Sequence, residues 1–147
     1  MTDERSDEDP GKPHAVGPAD TEGEGEGPFY RIGDLARHFG VTLRTLRFYE
    51  DRGLVSPLRS GATRLYDEPQ RRRVELALFG KRIGLSLGEV RTLLELHERQ
   101  DDADGRPARE RIATIYRRQL EALHERQREV TTAIDELTGL LDRLERN

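Results

Sequence analysis

The sequence predicts a mainly α-helical fold, with one small β-hairpin among short helices and a long helix at the end of the chain. Three patterns indicate this fold: short stretches of helical periodicity bounded by capping residues and glycines, one Pro- and Gly-containing stretch with β-prone residues, and a long apolar heptad repeat. Only 33% of the 147 residues are hydrophobic, which is low for one large core and suits an elongated helical protein.

The net charge of −4 conceals a segregation of charge along the chain. Lys plus Arg and Asp plus Glu number 2 and 9 in residues 1–28, 12 and 6 in residues 29–84, and 11 and 14 in residues 85–147, which gives −7, +6 and −3. The basic middle suggests a polyanionic partner. Residues 1–28 are rich in Asp, Glu, Gly and Pro, and we expect a disordered acidic tail that is either a solubilising segment or a decoy for the basic face.

Several functions are disfavoured by what the sequence lacks. It has no cysteine, which excludes disulfides and thiolate chemistry, and no apolar run of membrane-spanning length or signal-peptide pattern, so we expect a cytoplasmic protein. No Gly-rich phosphate loop and no nucleophile with a matching base can be found, so we expect neither an enzyme nor a bound cofactor. The spacing of two histidines and three nearby aspartates favours packing and solvent roles over a metal site; these residues are His97, His124, Asp101, Asp102 and Asp104.

Two short helices joined by a tight turn are predicted in residues 32–53. Apolar residues at i, i+3, i+4 and i+7 from Ile32 indicate the first helix, and Gly40 ends it. Thr42 is a suitable N-cap for the second helix, and Gly53 is suited to follow its last turn. This arrangement is a helix-turn-helix, whose second helix enters the major groove of DNA.

The second helix has one basic side. Arg44 and Arg47 lie one turn apart, with Thr45 and Phe48 beside them. A guanidinium group can grip a phosphate or a guanine edge, so this side suits a DNA groove, although a solvated amphipathic helix would carry similar residues. The apolar residues expected to face a core are Leu43, Leu46 and Leu54.

A small β wing is predicted after this helix. Pro57 and Gly61 interrupt helicity, and the β-prone residues Thr63–Tyr66 follow. Asp67 with Gln70 resembles a capping box that opens the next helix.

The remaining chain is predicted to be helical apart from one connector. The third helix ends around Gly84, and Ser86 with Glu89 forms an S-x-x-E capping box for a fourth helix. Residues 100–107 are polar and read as a connector.

Residues 116–144 carry apolar side chains in alternating steps of four and three, which predicts a coiled-coil helix. So narrow an apolar stripe on so long a helix needs a partner helix, and the simplest partner is the same helix of a second copy. Gln127 is the one polar residue of this seam, and it either sets the register or is a tolerated mismatch. The predicted dimerisation residues are Tyr116, Leu120, Leu123, Gln127, Val130, Ile134, Leu137, Leu141 and Leu144.

Several of these segments form a known multi-part pattern: Ile32-Gly33-Asp34-Leu35-Ala36, Gly40-Val41, Thr45-Leu46-Arg47-Phe48-Tyr49-Glu50, Gly53-Leu54, Pro57, Arg59, Arg64-x-Tyr66 and Gly84-Leu85-Ser86-Leu87-x-Glu89-Val90. At these spacings they resemble the MerR family of bacterial transcriptional regulators over roughly residues 30–96. Within the family, residues 80–87 look most like regulators of branched-chain amino-acid and fatty-acid degradation genes.

The resemblance implies a homodimer that binds pseudo-palindromic promoter DNA, and bends and untwists it so that RNA polymerase can engage. Composition and resemblance together divide the chain into four segments: a disordered acidic tail (1–28), a winged helix-turn-helix DNA-binding domain (29–98), a connector (99–107) and a dimerisation coiled coil (108–147). The DNA-binding residues it implies, together with the capping and wing residues around them, are Thr42, Arg44, Thr45, Arg47, Tyr49, Arg59, Thr63, Arg64, Tyr66, Lys81 and Arg82.

The sequence also departs from the family pattern. Ala62-Thr63 stands where the wing usually has Gly-Tyr, and Gly61 is expected to supply the flexible position one residue earlier. Sensor cysteines are absent and the chain ends at Asn147, so an effector either binds a small pocket between the DNA-binding part and the start of the coiled coil or is not used. The alternative function is a coiled-coil adaptor whose basic helices bind an acidic protein.

Overall fold

A computed structural model describes residues 27–146 of the protein. The predicted tail, residues 1–28, lies outside these residues except for its last two positions. The chain forms two compact units, one up to Leu78 and one from Phe79 onwards. The elements are β1 (Tyr30–Arg31), α1 (Ile32–Phe39), α2 (Leu43–Asp51), β2 (Leu58–Ser60), β3 (Thr63–Tyr66), α3 (Glu68–Arg82), α4 (Leu87–Arg99) and α5 (Arg106–Glu145).

The predicted helix-turn-helix is formed by α1 and α2. Gly40 ends α1 with φ +65°, a left-handed conformation that glycine adopts at little cost, and the Val41 N–H donates to the Ala36 carbonyl over 2.9 Å. Thr42 then caps α2, since its hydroxyl oxygen accepts the Thr45 N–H over 3.2 Å. The turn between the helices is therefore closed by local hydrogen bonds at both ends.

The wing is part of a three-stranded antiparallel sheet in the order β1-β3-β2. In the hairpin, Arg59 faces Arg64 across β2 and β3, and Gly61 has φ +61°, as expected from its position in the turn. Strand β1 was not predicted from the sequence, because two residues are too few to show an alternating pattern; it pairs Tyr30 with Tyr66.

The core of the first unit lies among α1, α2, the sheet and the first part of α3. Leu43 was expected to face this core, but its side chain is 39% exposed because it occupies the first position of α2, outside the packed stripe. The buried residues of the unit are Phe29, Tyr30, Leu35, Ala36, Leu46, Tyr49, Leu54, Val55, Tyr66, Val74 and Ala77.

One half of the predicted capping box at the start of α3 is present. The Asp67 carboxylate accepts the Gln70 N–H over 2.9 Å. The Gln70 side chain does not return to Asp67, because its oxygen accepts the Ser56 N–H over 2.7 Å. Gln70 thereby fastens the segment that leads into the wing to α3.

The second unit packs α4 against the end of α3 and the first turns of α5. Ser86 and Glu89 form the complete capping box that the sequence predicts for α4. Helix α5 begins at Arg106 with Pro107 in its first turn, two residues before the predicted start of the coiled coil. The buried hydrophobic residues of this unit are Leu85, Val90, Leu93, Leu94, Leu96, Ala108 and Ile112.

Helix α5 has 40 residues, which corresponds to a length of about 60 Å at about 1.5 Å per residue. No helix within residues 27–146 combines the length and apolar character that a membrane span requires.

Candidate nucleic-acid interface

The exposed side of α2 presents two guanidinium groups. Arg44 and Arg47 are both exposed, and neither has a hydrogen bond or ion pair with another residue in the range 27–146. They lie three positions apart in a helix whose other side buries Leu46 and Tyr49. A pair of unengaged guanidinium groups on a capped helix is available to bind phosphates or base edges.

The two threonines predicted at this interface have structural partners. The hydroxyl oxygens of Thr42 and Thr45 are 3.1 Å apart and hydrogen-bond to each other, in addition to the cap formed by Thr42. Both hydroxyls serve first to shape the start of α2.

Tyr49 and Tyr66 were predicted among the residues at the DNA contact, and the structure places both in the core. Tyr49 is 4% exposed and Tyr66 is 0% exposed, so neither ring can reach a groove from its present position. Burial raises the pKa of both hydroxyls, that of Tyr66 to about 12, and the Tyr66 hydroxyl has no hydrogen-bond partner within the described part of the chain. The resemblance gives the positions of Tyr49 in α2 and of Tyr66 in β3 but not the directions of their side chains, so a contact of either residue with DNA stays a prediction.

Phe48, beside Tyr49, is the exposed aromatic residue of α2. Its side chain is 39% exposed, and the Arg52 guanidinium lies 5.1 Å from its ring centre. The sequence placed Phe48 beside the basic face, but its exposure, which makes it a candidate contact residue, is visible only in the structure.

Glu50 joins the wing to α2. Its carboxylate accepts a hydrogen bond from Arg64 Nε over 2.5 Å and another from Arg59 Nη2 over 3.0 Å. Partial burial acts to raise the pKa of Glu50, but the hydrogen bonds from Arg64 and Arg59 outweigh it and the pKa is lowered. The carboxylate therefore stays ionised and holds both guanidinium groups beside α2.

Sequence reasoning missed this role of Glu50. The residue stands in a helix, 9 and 14 positions before the two arginines, and no local pattern links these positions. Each arginine keeps further N–H donors beyond the one bonded to Glu50, and the Arg59 side chain is 53% exposed. Thr63 is exposed at the start of β3.

Lys81 and Arg82 belong to the second unit, in the last turn of α3, and both are exposed. Lys81 Nζ donates to the Leu85 carbonyl over 3.2 Å, and the Arg82 guanidinium lies 5.7 Å from the Phe79 ring centre. Lys81 is thus tied to the turn between α3 and α4, and Arg82 to the last turn of α3 itself.

The predicted dimerisation seam is largely uncovered in the single chain. Its aliphatic side chains on α5 are between 42% and 74% exposed. Tyr116 differs, because its hydroxyl is 3.0 Å from His97 Nε2 and its ring packs edge-on against Phe79. Tyr116 therefore belongs to the packing of the second unit.

The connection between α4 and α5 borders a cavity of about 510 Å³. Arginines from both helices and two aspartates of the connection line it together with apolar side chains; the lining residues are Leu96, Arg99, Asp102, Ala103, Asp104, Pro107, Ala108 and Arg111.

Over the described range 27–146, no three His, Asp or Glu side chains are grouped closely enough to hold a metal ion. His97 is bonded through both ring nitrogens, to Tyr116 and to Gln100.

These features define a class of protein: a winged helix-turn-helix protein with a basic second helix and a long C-terminal helix. The family model described as "MerR HTH family regulatory protein" matches residues 30–96, and the model described as "MerR, DNA binding" matches residues 71–140. Together they span residues 30–140, and the chain belongs to the MerR family.

Curated relatives agree with this assignment. A transcriptional regulator of Haemophilus influenzae, a ZntR homologue, is 37% identical over 68 residues, which are 45% of this chain and 50% of that protein. The nodulation protein NolA of Bradyrhizobium elkanii is 35% identical over 123 residues, 77% of this chain and 54% of that protein. The chain thus spans about half the length of these two relatives. The regulator YfmP of Bacillus subtilis is 28% identical over 130 residues, 79% of this chain and 93% of that protein.

Solved structures share the fold. HiNmlR, a MerR family regulator lacking the sensor domain and bound to promoter DNA, has a TM-score of 0.59 and 22% identity, covering 73% of this chain and 79% of that one. A MerR family regulator from Listeria monocytogenes has a TM-score of 0.60 and 24% identity, covering 78% and 85%. At sequence identities of 22% and 24%, the structural similarity shows that the chain shares the fold of these two proteins.

Proposed function

We propose that the protein is a transcriptional regulator that binds promoter DNA sequence-specifically as a homodimer. In this proposal α2 enters the major groove and presents Arg44 and Arg47 to base edges and phosphates, while Arg59, Thr63 and Arg64 of the wing contact the adjacent backbone. The main support for this proposal is the pair of exposed guanidinium groups on α2, which have no bonded partner within residues 27–146. The wing, whose arginines Glu50 holds beside α2, adds to it.

The second subunit is proposed to cover the apolar seam of α5. Exposed leucine, valine and isoleucine side chains recur along the helix after residue 119, a larger apolar stripe than a monomer usually leaves in water. A two-fold symmetric dimer presents two copies of α2 and therefore requires a two-fold symmetric operator.

The dimer is proposed to act on promoter DNA by bending and untwisting it, so that RNA polymerase engages the promoter. Such deformation costs about 1–6 kcal/mol for a site of ordinary length, and phosphate contacts from two subunits can offset it. Lys81 and Arg82 are the residues that we assign to further contacts with backbone phosphates. We place the protein in the cytoplasm, where a regulator meets promoter DNA. We also propose the cavity beside the α4–α5 connection as the place for a small-molecule effector.

The test is a titration of the full chain against DNA from upstream of its own gene and against a shuffled DNA of equal length, at several salt concentrations. We expect tighter binding to the upstream DNA, a two-fold symmetric footprint, and a log–log salt slope of about −0.9 per phosphate contact. Equal and weak binding to both DNAs would refute the proposal and favour an adaptor that binds an acidic protein.

Two substitutions separate the roles of the basic residues. Arg47→Ala should cost about 1–3 kcal/mol of operator binding and reduce the preference over shuffled DNA. Lys81→Ala should weaken binding to both DNAs by the same factor and reduce the salt slope by about 1. Arg117→Ala, which removes an exposed charge of α5 outside the proposed interface, is the matched control and should leave both properties unchanged.

A further inference from the structure

The C-terminal end of α3 is capped by a side chain from a distant helix. Gln119 of α5 donates from Nε2 to the Ile83 carbonyl over 2.6 Å. The last carbonyls of a helix have no partner within the helix, so a donor from another element satisfies one of them. The contact joins positions 36 residues apart within the second unit.

Gly84 makes this approach possible. Its φ is +94°, which residues with a side chain rarely adopt, and a Cβ atom at this position would lie 2.9 Å from Gln119 Nε2. The turn therefore needs glycine for its backbone conformation, and a side chain at this position would also push the Gln119 amide aside.

Neighbouring residues of α5 hold the same region. Arg118 forms an ion pair with Glu89, the acidic member of the capping box that starts α4. The Tyr116 ring packs edge-on against Phe79, with ring centres 6.0 Å apart. Three nearby positions of α5 thus fasten the end of α3 and the beginning of α4.

The two cations assigned to DNA backbone contacts lie on this turn. Lys81 bonds the Leu85 carbonyl, and Leu85 N–H donates to the Gly80 carbonyl over 2.9 Å, so Lys81 is held by the same loop that Gln119 caps. The Arg82 guanidinium rests on the Phe79 ring. The direction of the Lys81 side chain depends on the conformation of residues 83–85, and Arg82 directly precedes these residues at the end of α3.

We propose that Gln119 is a positioning residue for DNA binding: by capping α3 at Ile83 it fixes the turn that directs Lys81 and Arg82 towards the DNA backbone. The inference rests on the proposed function and adds to it a physical link between α5 and the backbone contacts. Gln119 itself needs no contact with DNA.

The test is a mutant cycle in the full chain. Gln119→Met keeps the length and neutrality of the side chain but removes the donor; it is combined with Lys81→Ala/Arg82→Ala. Alone, Gln119→Met should weaken binding to operator and shuffled DNA by the same several-fold factor and reduce the salt slope by about 1. In the Lys81→Ala/Arg82→Ala background it should have no further effect, since the residues through which it acts are gone.

A second variant and a second measurement guard against a trivial loss of folding. Gly84→Ala, which strains the left-handed backbone of the turn and displaces the Gln119 amide, should produce the same uniform loss of affinity. Hydrogen exchange of the amides of residues 83–85 should accelerate in Gln119→Met, while exchange in α2 and the dimer mass stay at their wild-type values.

The outcomes distinguish this inference from the proposed function. If the wild type shows no preference for its upstream DNA, the proposed function fails, and the hydrogen-exchange result still tests the cap. Suppose that the wild type binds its upstream DNA. If Gln119→Met binds equally well, or if it weakens binding by the same factor in the Lys81→Ala/Arg82→Ala background as in the wild type, Gln119 does not act through these cations.

Discussion

The two parts of α5 differ in what covers their apolar side chains. Up to Gln119 the helix packs within its own unit, where Ala108 and Ile112 are buried and Tyr116 contacts Phe79. From Leu120 to the end, every aliphatic side chain of the predicted seam is exposed. One continuous helix thus combines a part that completes the fold of its own unit with a part whose apolar stripe is not covered by any of residues 27–146.

This difference shows what a heptad pattern can and cannot reveal. The steps of four and three run through Tyr116 as regularly as through Leu137, so the pattern predicts one seam. A heptad repeat indicates that a stripe is buried against another helix, but it does not say whether that helix belongs to the same chain. In this protein the first partner is intramolecular, and we propose that the second is the other subunit.

The largest expected effect comes from a charge in the distal seam. Leu137→Asp should convert the proposed dimer to a monomer, because the carboxylate would be buried without a partner between the two helices of the proposed seam. Sedimentation equilibrium measures the mass. Thr132→Asp, on the outward side of the same helix, is the control and should stay dimeric; a dimeric Leu137→Asp protein would contradict the proposed seam.

A smaller effect is expected in the first part of α5. Ile112→Ala removes a side chain that is 6% exposed and should lower the free energy of unfolding by about 2–5 kcal/mol. Amide exchange in α4 should accelerate accordingly. Val130→Ala, in the exposed part, should weaken dimer association but leave exchange in α4 unchanged, and a reversed outcome would mean that the two parts have been assigned the wrong way round.

The stability of the second unit, in which His97 of α4 bonds Tyr116 of α5, should depend on pH. Burial lowers the pKa of His97 below its ordinary value of 6.5, although Asp101 acts in the opposite direction. The unfolded chain then binds a proton more readily than the folded one, so stability should fall as the pH drops below about 6.5 and through the lowered pKa. Thermal unfolding between pH 7.5 and 5 measures this loss, and His97→Gln should flatten it. An equal pH dependence in His97→Gln would assign the effect to other groups.

The smallest expected effect concerns the polar residue of the seam. Gln127→Leu should strengthen dimer association modestly, because it replaces an amide by an apolar side chain at a seam position. Analytical ultracentrifugation at low concentration measures the dissociation constant. Weaker association would show instead that the amide makes a bond across the interface.

Local signals in the sequence predicted much of the fold. The Thr42 cap, the Ser86 and Glu89 capping box, and the glycines that end α1 and turn the wing all appear as expected. Each of these features depends on residues within about four positions of one another, and such short-range chemistry is readable from a single sequence.

The parts that escaped prediction are held by contacts between distant residues. Glu50 reaches Arg64 over 14 positions and Gln119 reaches Ile83 over 36, and no periodicity connects such pairs. The direction of Tyr49 escaped for a related reason: facing in or out depends on which neighbours pack against the helix, and these come from elsewhere in the chain.

The sequence by itself determined the order of the helices, the caps of α2 and α4, the family and the basic character of α2, because these depend on residue type and short spacing. Only the tertiary structure decided which aromatic residues are buried, which carboxylate holds the wing, and where α5 stops packing on its own chain. These depend on side chains that meet only after the chain has folded, since their contacts are set by the packing of whole elements and not by distance along the sequence.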